Sequence, residues 1–334
     1  MKVLIYGYPV SNMNGVSRYS RDLFNGLYNY YNYGLLNERE RRYGEITIEY
    51  KPLSKYEIIY HGRKYGGFVS YSILRQFQLY RNYNIIHSLT AVYSHKKSNV
   101  ITIHDLVNID KGSGIYSKIK NTLKSSPDVI VPLPSVQKDM KDLFNYDSHI
   151  VHHGIARLPE REYDNPFHDD KKHIIIMGGL DIIRRRNTEL VEKLKNTEYE
   201  VFVIGYGNTY HFDRYRQYNN IHILGYLEDQ EVYKYMAHAD LLMYNSIGEG
   251  FGYIPLEAMR FNLNTLINFQ SSFYDAYKDK VFYFYGMGNL ESEIEYAIEH
   301  KKLNLKEWVY ENYSIEKMAK ETAMVYDIAI KGVS

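Results

Sequence analysis

Two glutamates with seven residues between them, Glu249 and Glu257, lie in a glycine-rich run, Ser246-Ile-Gly-Glu-Gly-Phe-Gly-Tyr-Ile-Pro-Leu-Glu-Ala-Met-Arg-Phe-Asn262. Gly248, Gly250 and Gly252 allow a backbone to approach a ligand closely. Pro255 is tolerated in a first helical turn, and Leu256-Glu257-Ala258-Met259 is a helix-forming run. A helix start offers unpaired N–H groups and partial positive charge, which suits an anion or a ring of sugar hydroxyls. One acid can then face the reacting end of a ligand and the other its far end. The alternative is a helix with one capping acid and one solvent-facing acid, which leaves the three glycines unexplained.

The apolar run Leu241–Tyr244 reads as the buried strand that delivers this loop, so the order is strand, glycine loop, helix. The segment Ser-x-x-Glu-Gly-Phe-Gly-x-x-Pro-Leu-Glu-Ala-Met resembles the donor-site motif of retaining GT-B glycosyltransferases, specifically glycosyltransferase family 4, the group 1 glycosyltransferases. The resemblance implies that Glu249 lies by the donor sugar and that Glu257 binds the nucleotide ribose. It also implies that the loop at Gly250, Phe251 and Gly252 holds sugar hydroxyls and phosphate. The family usually continues with a small residue, Gly and Pro, where this chain has Arg260-Phe261-Asn262. Asn is the next-best residue for a left-handed helix end, so Asn262 is expected to stop the helix. Arg260 is read either as a surface residue or as a ligand contact.

Upstream, Lys2–Tyr8 reads as a buried strand, and Val16, Tyr19, Leu23 and Leu27 mark the core face of a following helix. The turn between them carries Asn14-Gly15 where the family has Gly-Gly, so the resemblance makes Gly15 a contact to the donor diphosphate. Ile101-Thr102-Ile103-His104-Asp105 ends a strand with a polar pair, the position where open α/β sheets put ligand contacts. It also resembles the family's His-Asp element, which implies a role for His104 near the donor sugar and acceptor. Asp105 is read as orienting the histidine or holding the loop.

The family places Gly-Arg-Leu after the first strand of the second domain, and a Lys a few residues on. Here Gly178-Gly179 follows His173–Met177, and Arg184-Arg185-Arg186 precedes Asn187. A leaving diphosphate needs positive charge. Arg185 and Arg186 are therefore expected to supply it, with Arg186 favoured because it adjoins Asn187. Tyr226 and Leu227, after Gly225, correspond to the family's nucleotide-base contacts, and Asp229 reads as a helix N-cap.

The 334 residues suffice for two domains, and 45% hydrophobic with 24% charged residues is a globular composition. No apolar run approaches a membrane span. Cysteine is absent, which excludes disulfides and thiolate metal sites. The net charge of +1 hides an asymmetry: residues 1–158 hold 21 Lys/Arg against 12 Asp/Glu. The excess fits an anionic partner or a peripheral anionic membrane surface, with Lys118, Lys120 and Lys124 on a basic amphipathic helix within Lys111–Ser126. Arg63 and Lys64 are read on a loop, ahead of a helix from about Phe68 to Tyr83. Leu158–Asp170 is the clearest linker.

The expected fold is α/β: two doubly wound Rossmann-like domains facing across a cleft, residues 1–158 on the acceptor side and 159–334 on the nucleotide-sugar side. The expected function is retaining transfer of a hexosyl group from a nucleotide-sugar, a UDP- or GDP-sugar, to a glycan or a lipid- or protein-linked acceptor. No cofactor or nucleic acid is expected, and no metal-bridged diphosphate, since no Asp-x-Asp occurs. The location is expected to be cytoplasmic. The alternatives are a nucleotide-sugar epimerase or hydrolase of the same fold, and a non-catalytic binding protein, for which Gly179 is the motive.

Overall fold

The computed structural model of the chain is described for residues 2–7, 15–32, 47–52, 54–60, 63–69, 83–92, 94, 97–107, 109–180, 183–206 and 209–331. It divides into two compact units, Met1–Ala156 with Tyr313–Ser334, and Arg157–Asn312. The C-terminal helix thus belongs with the first unit, not with the second half of the sequence as expected.

The first unit is built on a six-stranded sheet of β1 (Lys2–Gly7), β2 (Thr47–Pro52), β5 (Ile85–Ser88), β6 (Val100–Thr102), β7 (Asp128–Val131) and β8 (His149–Ile150), in the order β2-β1-β5-β6-β7-β8. Every pairing in it is parallel. A separate antiparallel hairpin joins β3 (Ser54–Tyr60) to β4 (Arg63–Val69). Arg63 and Lys64 therefore lie on a strand, not on the expected loop. The helix expected after Phe68 falls largely outside the described residues.

The helix Gly15–Asn32 buries Tyr19, Leu23 and Leu27 completely, as their spacing predicts. It packs on the last helix, Ile315–Lys331, where a side chain at Gly26 would meet Ile315 Cγ2 at 2.5 Å. The helix Gly114–Leu123 is capped by Ser113, whose Oγ accepts the Tyr116 N–H. It buries Ile119 and Leu123 and leaves its lysines exposed, so it is the basic amphipathic element expected. Among the described residues no helix is long and apolar enough to cross a membrane.

The second unit carries β9 (His173–Met177), β10 (Glu200–Ile204), β11 (Ile221–Gly225), β12 (Leu241–Tyr244), β13 (Thr265–Asn268) and β14 (Phe282–Phe284) in the order β11-β10-β9-β12-β13-β14. All of these pairings are parallel. The central strands β9 and β12 are buried along their whole length, as continuous apolar runs in a sheet covered on both faces must be. The expected linker Leu158–Asp170 has no helix or strand but is tied into this unit. Leu158 N–H donates to Tyr310 Oη at 3.1 Å, and Phe167 stacks on His173 with ring centroids 3.9 Å apart.

Helix ends follow local chemistry. Asn262 adopts φ 55° and stops the helix Tyr253–Met259, as expected. Asp229 is the first helical residue and Glu228 the cap, one position from the expectation, and Glu228 makes no capping hydrogen bond. Arg260 is not a surface residue: it is buried, with its guanidinium 5.6 Å from the Tyr233 ring centre.

Candidate active site

In a doubly wound sheet the strand order reverses at one point, and the loops leaving the C-terminal ends of the strands there open a crevice. In the second unit that point lies between β9 and β12. β9 delivers Gly178-Gly179 and β12 delivers Asn245–Gly252, so the two glycine loops singled out in the sequence meet at one end of one sheet.

The first loop is shaped by backbone contact. Gly178 and Gly179 have φ 105° and 73°, and their N–H groups donate to the Ile204 carbonyl at 2.8 and 3.2 Å. A Cβ on Gly179 would lie 1.8 Å from the Tyr206 carbonyl oxygen, and one on Gly205 would lie 2.4 Å from the Gly179 nitrogen. The turns after β9 and β10 interlock with no room for a side chain. An arginine at 179, the family's residue, cannot fit this backbone.

Positive charge beside this loop is carried by the 3-10 turn Ile183–Arg185. Arg185 lies directly against Gly178, where a Cβ would meet its Nη1 at 1.7 Å, and its guanidinium carbon is 5.8 Å from the Tyr244 ring centre. Arg185 Nε is buried without a hydrogen-bond partner. Arg186, favoured by the sequence, has φ 48° and turns away: its Nε donates to Glu189 Oε1 at 2.6 Å. Its carbonyl accepts Asn245 Nδ2 at 3.1 Å. Asn187 Nδ2 donates to the carbonyls of Met177 and Gly179 at 3.1 and 2.7 Å, tying the next helix to the first loop. Among the described residues the Oδ1 atoms of Asn187 and Asn245 are buried without partners, as is Arg185 Nε. Buried polar atoms are rarely left so. An anion would suit the arginine, and a ligand hydroxyl would suit either amide oxygen.

The second loop presents Glu249. Its Oε1 accepts the Tyr244 hydroxyl at 3.0 Å and the Ser246 hydroxyl at 3.2 Å. Burial, reinforced by the Glu249 charge, pushes the Tyr244 phenol well above its ordinary range, so it stays a donor and fixes the carboxylate. The loop is braced from behind. Gln270 Nε2 donates to the Ser246 carbonyl at 2.8 Å, and the Tyr277 hydroxyl donates to the carbonyls of Phe251 and Gly252. Phe251 is buried, so what it can offer a ligand is its backbone. Gly250 is buried, and Gly252 caps the helix at φ 79°. Glu257 is buried within the first turns of that helix.

At the end of β11, the Tyr226 ring stacks on Tyr206, with centroids 5.0 Å apart and planes 15° from parallel. Leu227 is half-buried against the apolar cluster around Val232 and Tyr233. Gly207, which follows Gly205-Tyr206 after β10, lies outside the described residues.

In the first unit, Gly15 is the exposed first residue of its helix. His104 follows β6 and is partly buried; its Nε2 is 2.9 Å from the Leu89 carbonyl and its Nδ1 is 3.3 Å from His153 Nε2. The side chains that sequence reasoning did not single out are Tyr244, Asn187, Asn245 and His153. Tyr244 was visible only as the last apolar residue of a strand, and His153 only as one of two adjacent histidines.

The group 1 glycosyl transferase family matches residues 167–306. No curated protein sequence matches the chain. Among solved structures, sucrose-phosphate synthase from Thermosynechococcus elongatus is similar over 100% of both chains, with TM-score 0.73 at 12% identity. HepE of Anabaena, in complex with UDP-glucose, is similar over 98% of this chain and 100% of its own, with TM-score 0.69 at 13% identity. A glycosyltransferase from Rickettsia africae is similar over 99% of this chain and 98% of its own, with TM-score 0.69 at 14% identity. At these identities the likeness speaks for the fold, and that fold is the two-domain α/β architecture of GT-B glycosyltransferases. The stretch that matches the group 1 glycosyl transferases, residues 167–306, makes up most of the second unit.

Proposed function

We propose that the chain transfers a hexosyl group from a UDP- or GDP-sugar to a sugar-bearing acceptor, with retention at the anomeric carbon and without a metal ion. The observation that carries this reading is Glu249, fixed by two hydroxyl donors on a glycine loop at the strand reversal, with Arg185 behind the opposite loop. Glu249 holds the donor sugar and stabilises positive charge growing at its anomeric carbon. Arg185 and the amides of Gly250 to Gly252 take the charge of the departing diphosphate, where preorganised donors count most. Gly15 contributes a backbone contact to the diphosphate, Glu257 binds the ribose, Tyr226 and Leu227 meet the base, and His104 contacts sugar. The solved HepE structure contains UDP-glucose, which supports a nucleotide-sugar as donor. The acceptor is a glycan or a lipid-linked or protein-linked sugar, and the basic excess of residues 1–158 favours an anionic one. The non-catalytic alternative leaned on Gly179, whose glycine has a steric cause in the Tyr206 carbonyl.

The test is nucleotide release from a panel of UDP-, GDP- and ADP-sugars in the presence of EDTA, for the wild type and for Glu249→Ala and Glu257→Ala. Release from one donor, reduced at least a hundredfold in Glu249→Ala, is the expected result. Release that needs added metal would remove the metal-free part of the reading. Absence of both release and binding for every donor would overturn it.

A further inference from the structure

The first unit holds a second set of buried polar groups, at the C-terminal end of β6, in which hydrogen-bond direction is fixed by chemistry. A carbonyl oxygen only accepts, so His104 Nε2, 2.9 Å from the Leu89 carbonyl, carries the hydrogen. Nδ1 of a neutral His104 is then a lone pair, and His153 Nε2 at 3.3 Å must be the donor to it. Burial pushes both imidazoles below the ordinary histidine range, His153 furthest, which favours the neutral pair.

Both rings are fenced. Tyr19 meets His104 edge-on at 4.8 Å between centroids and His153 at 4.4 Å. Tyr19 is itself pinned, its hydroxyl 3.2 Å from Thr102 Oγ1. The backbone carrying His153 is fixed as well. Val151 N–H donates to the Val131 carbonyl at 2.9 Å and Ile155 N–H to the Tyr313 carbonyl at 2.7 Å. At Gly154 a Cβ would meet the Ser314 carbonyl at 2.7 Å.

We propose that His153 is a positioning residue that holds His104 in the Nε2–H tautomer, so that both ring nitrogens of His104 are engaged within the protein. His104 then meets a substrate as a fixed surface, through its ring carbons and backbone, and not as a proton donor or acceptor. The tautomer stands on the geometry alone; the consequence for turnover rests on the proposed function.

The experiment has two arms. In the first, the full chain labelled with 15N at histidine is read by long-range 1H–15N correlation, with His104 assigned by loss of its signals in His104→Gln. The expected pattern is a protonated Nε2 and an unprotonated, hydrogen-bonded Nδ1, retained in His153→Asn, whose amide can donate, and altered at Nδ1 in His153→Leu. A protonated Nδ1 in the wild type overturns the proposal, and this reading needs neither His153 variant to fold. In the second arm, nucleotide release is measured from the UDP- and GDP-sugars of the panel. His153→Leu is expected to lose roughly tenfold or more in kcat with KM for the nucleotide-sugar unchanged, and His153→Asn to restore most of it. Equal losses in both variants, or none in His153→Leu, overturn the positioning role. If the wild type releases nucleotide from no sugar, the proposed function has failed, and the spectrum still decides the tautomer.

Discussion

The polar groups at the strand ends of the two sheets are handled in opposite ways. In the first unit one group of them faces inward and its members satisfy one another: His87 Nδ1 lies 2.8 Å from the Tyr326 hydroxyl and Nε2 lies 2.8 Å from Thr102 Oγ1, which also meets Tyr19. In the second unit Arg185 Nε, Asn187 Oδ1 and Asn245 Oδ1 are buried without partners among the described residues, beside two glycine loops. A completed network adds rigidity, whereas unsatisfied donors and acceptors raise the energy of the unliganded protein and lower the cost of binding something that completes them. Of the groups named, those left for a ligand to complete lie at the second sheet end.

The most disruptive change is expected at the interlocked glycines. Gly179→Ala forces a Cβ into the Tyr206 carbonyl at a positive φ, and should cost on the order of 4 kcal/mol, read from the urea midpoint. A wild-type midpoint would mean that the loops do not interlock.

The two neighbouring arginines sharpen the ligand side. Arg185→Ala should weaken binding of UDP or GDP about ten- to hundredfold by calorimetry, as expected for loss of a charge-assisted contact. Arg186→Ala removes a half-exposed ion pair with Glu189 and should change affinity less than about threefold. The reverse order would return the diphosphate to Arg186.

Acid should separate the units by window. Burial, with a smaller contribution from the neighbouring His104, holds His87 at a pKa of about 3, against about 6.5 unfolded. The unfolded chain therefore binds more protons between these values, and the first unit loses stability as pH falls below about 6.5, by about 2 kcal/mol from His87 alone at pH 5. In the second unit, burial raises the Glu200 carboxyl, but hydrogen bonds from Lys171 and His222 outweigh it and leave the group below its ordinary value. Stability from that group is present above the ordinary carboxylate range and is lost only below about pH 4.3. Amide exchange resolved by unit between pH 7 and 4 checks the order; simultaneous loss in both units at pH 6 would contradict it. The smallest effect is Tyr326→Phe, which leaves a ring nitrogen of His87 without its partner and should cost about 1–2 kcal/mol in thermal unfolding.

Much of the candidate site could be read from residue types, because close backbone approach demands glycine and a buried parallel strand demands an uninterrupted apolar run. Gly178-Gly179, β9, β12 and the Glu249 loop follow from those demands. The choice among Arg184, Arg185 and Arg186 does not. Consecutive residues on a tight turn point in different directions, and no pattern in three identical residues says which one faces the loop. Phe251 reads as a ligand contact by its place in the motif, yet the pocket formed with Tyr253 and the loop backbone buries its ring. The amphipathic pattern of Ile315–Lys331 shows that one face is buried but not which sheet it covers, so the domain limits drawn from sequence assign it to the wrong unit. Arg260 follows the same logic: a charge in sequence is read as exposed, while an aromatic face at Tyr233 makes a buried position tolerable.

That the last helix closes the first unit also orders the chain in time. Synthesis proceeds from the N-terminus, and domains fold as their residues emerge. Arg157–Asn312 is an uninterrupted insertion, complete before Tyr313–Ser334 has been made. The unit begun before the insertion is thus finished after it: until Tyr313–Ser334 leaves the ribosome, Gly26 lacks the helix it packs against and His87 lacks the hydroxyl of Tyr326. A chain stopped at Asn312 would carry an intact second unit and an unfinished first one, with the apolar surface meant for Ile315–Lys331 left to chaperones or to aggregation.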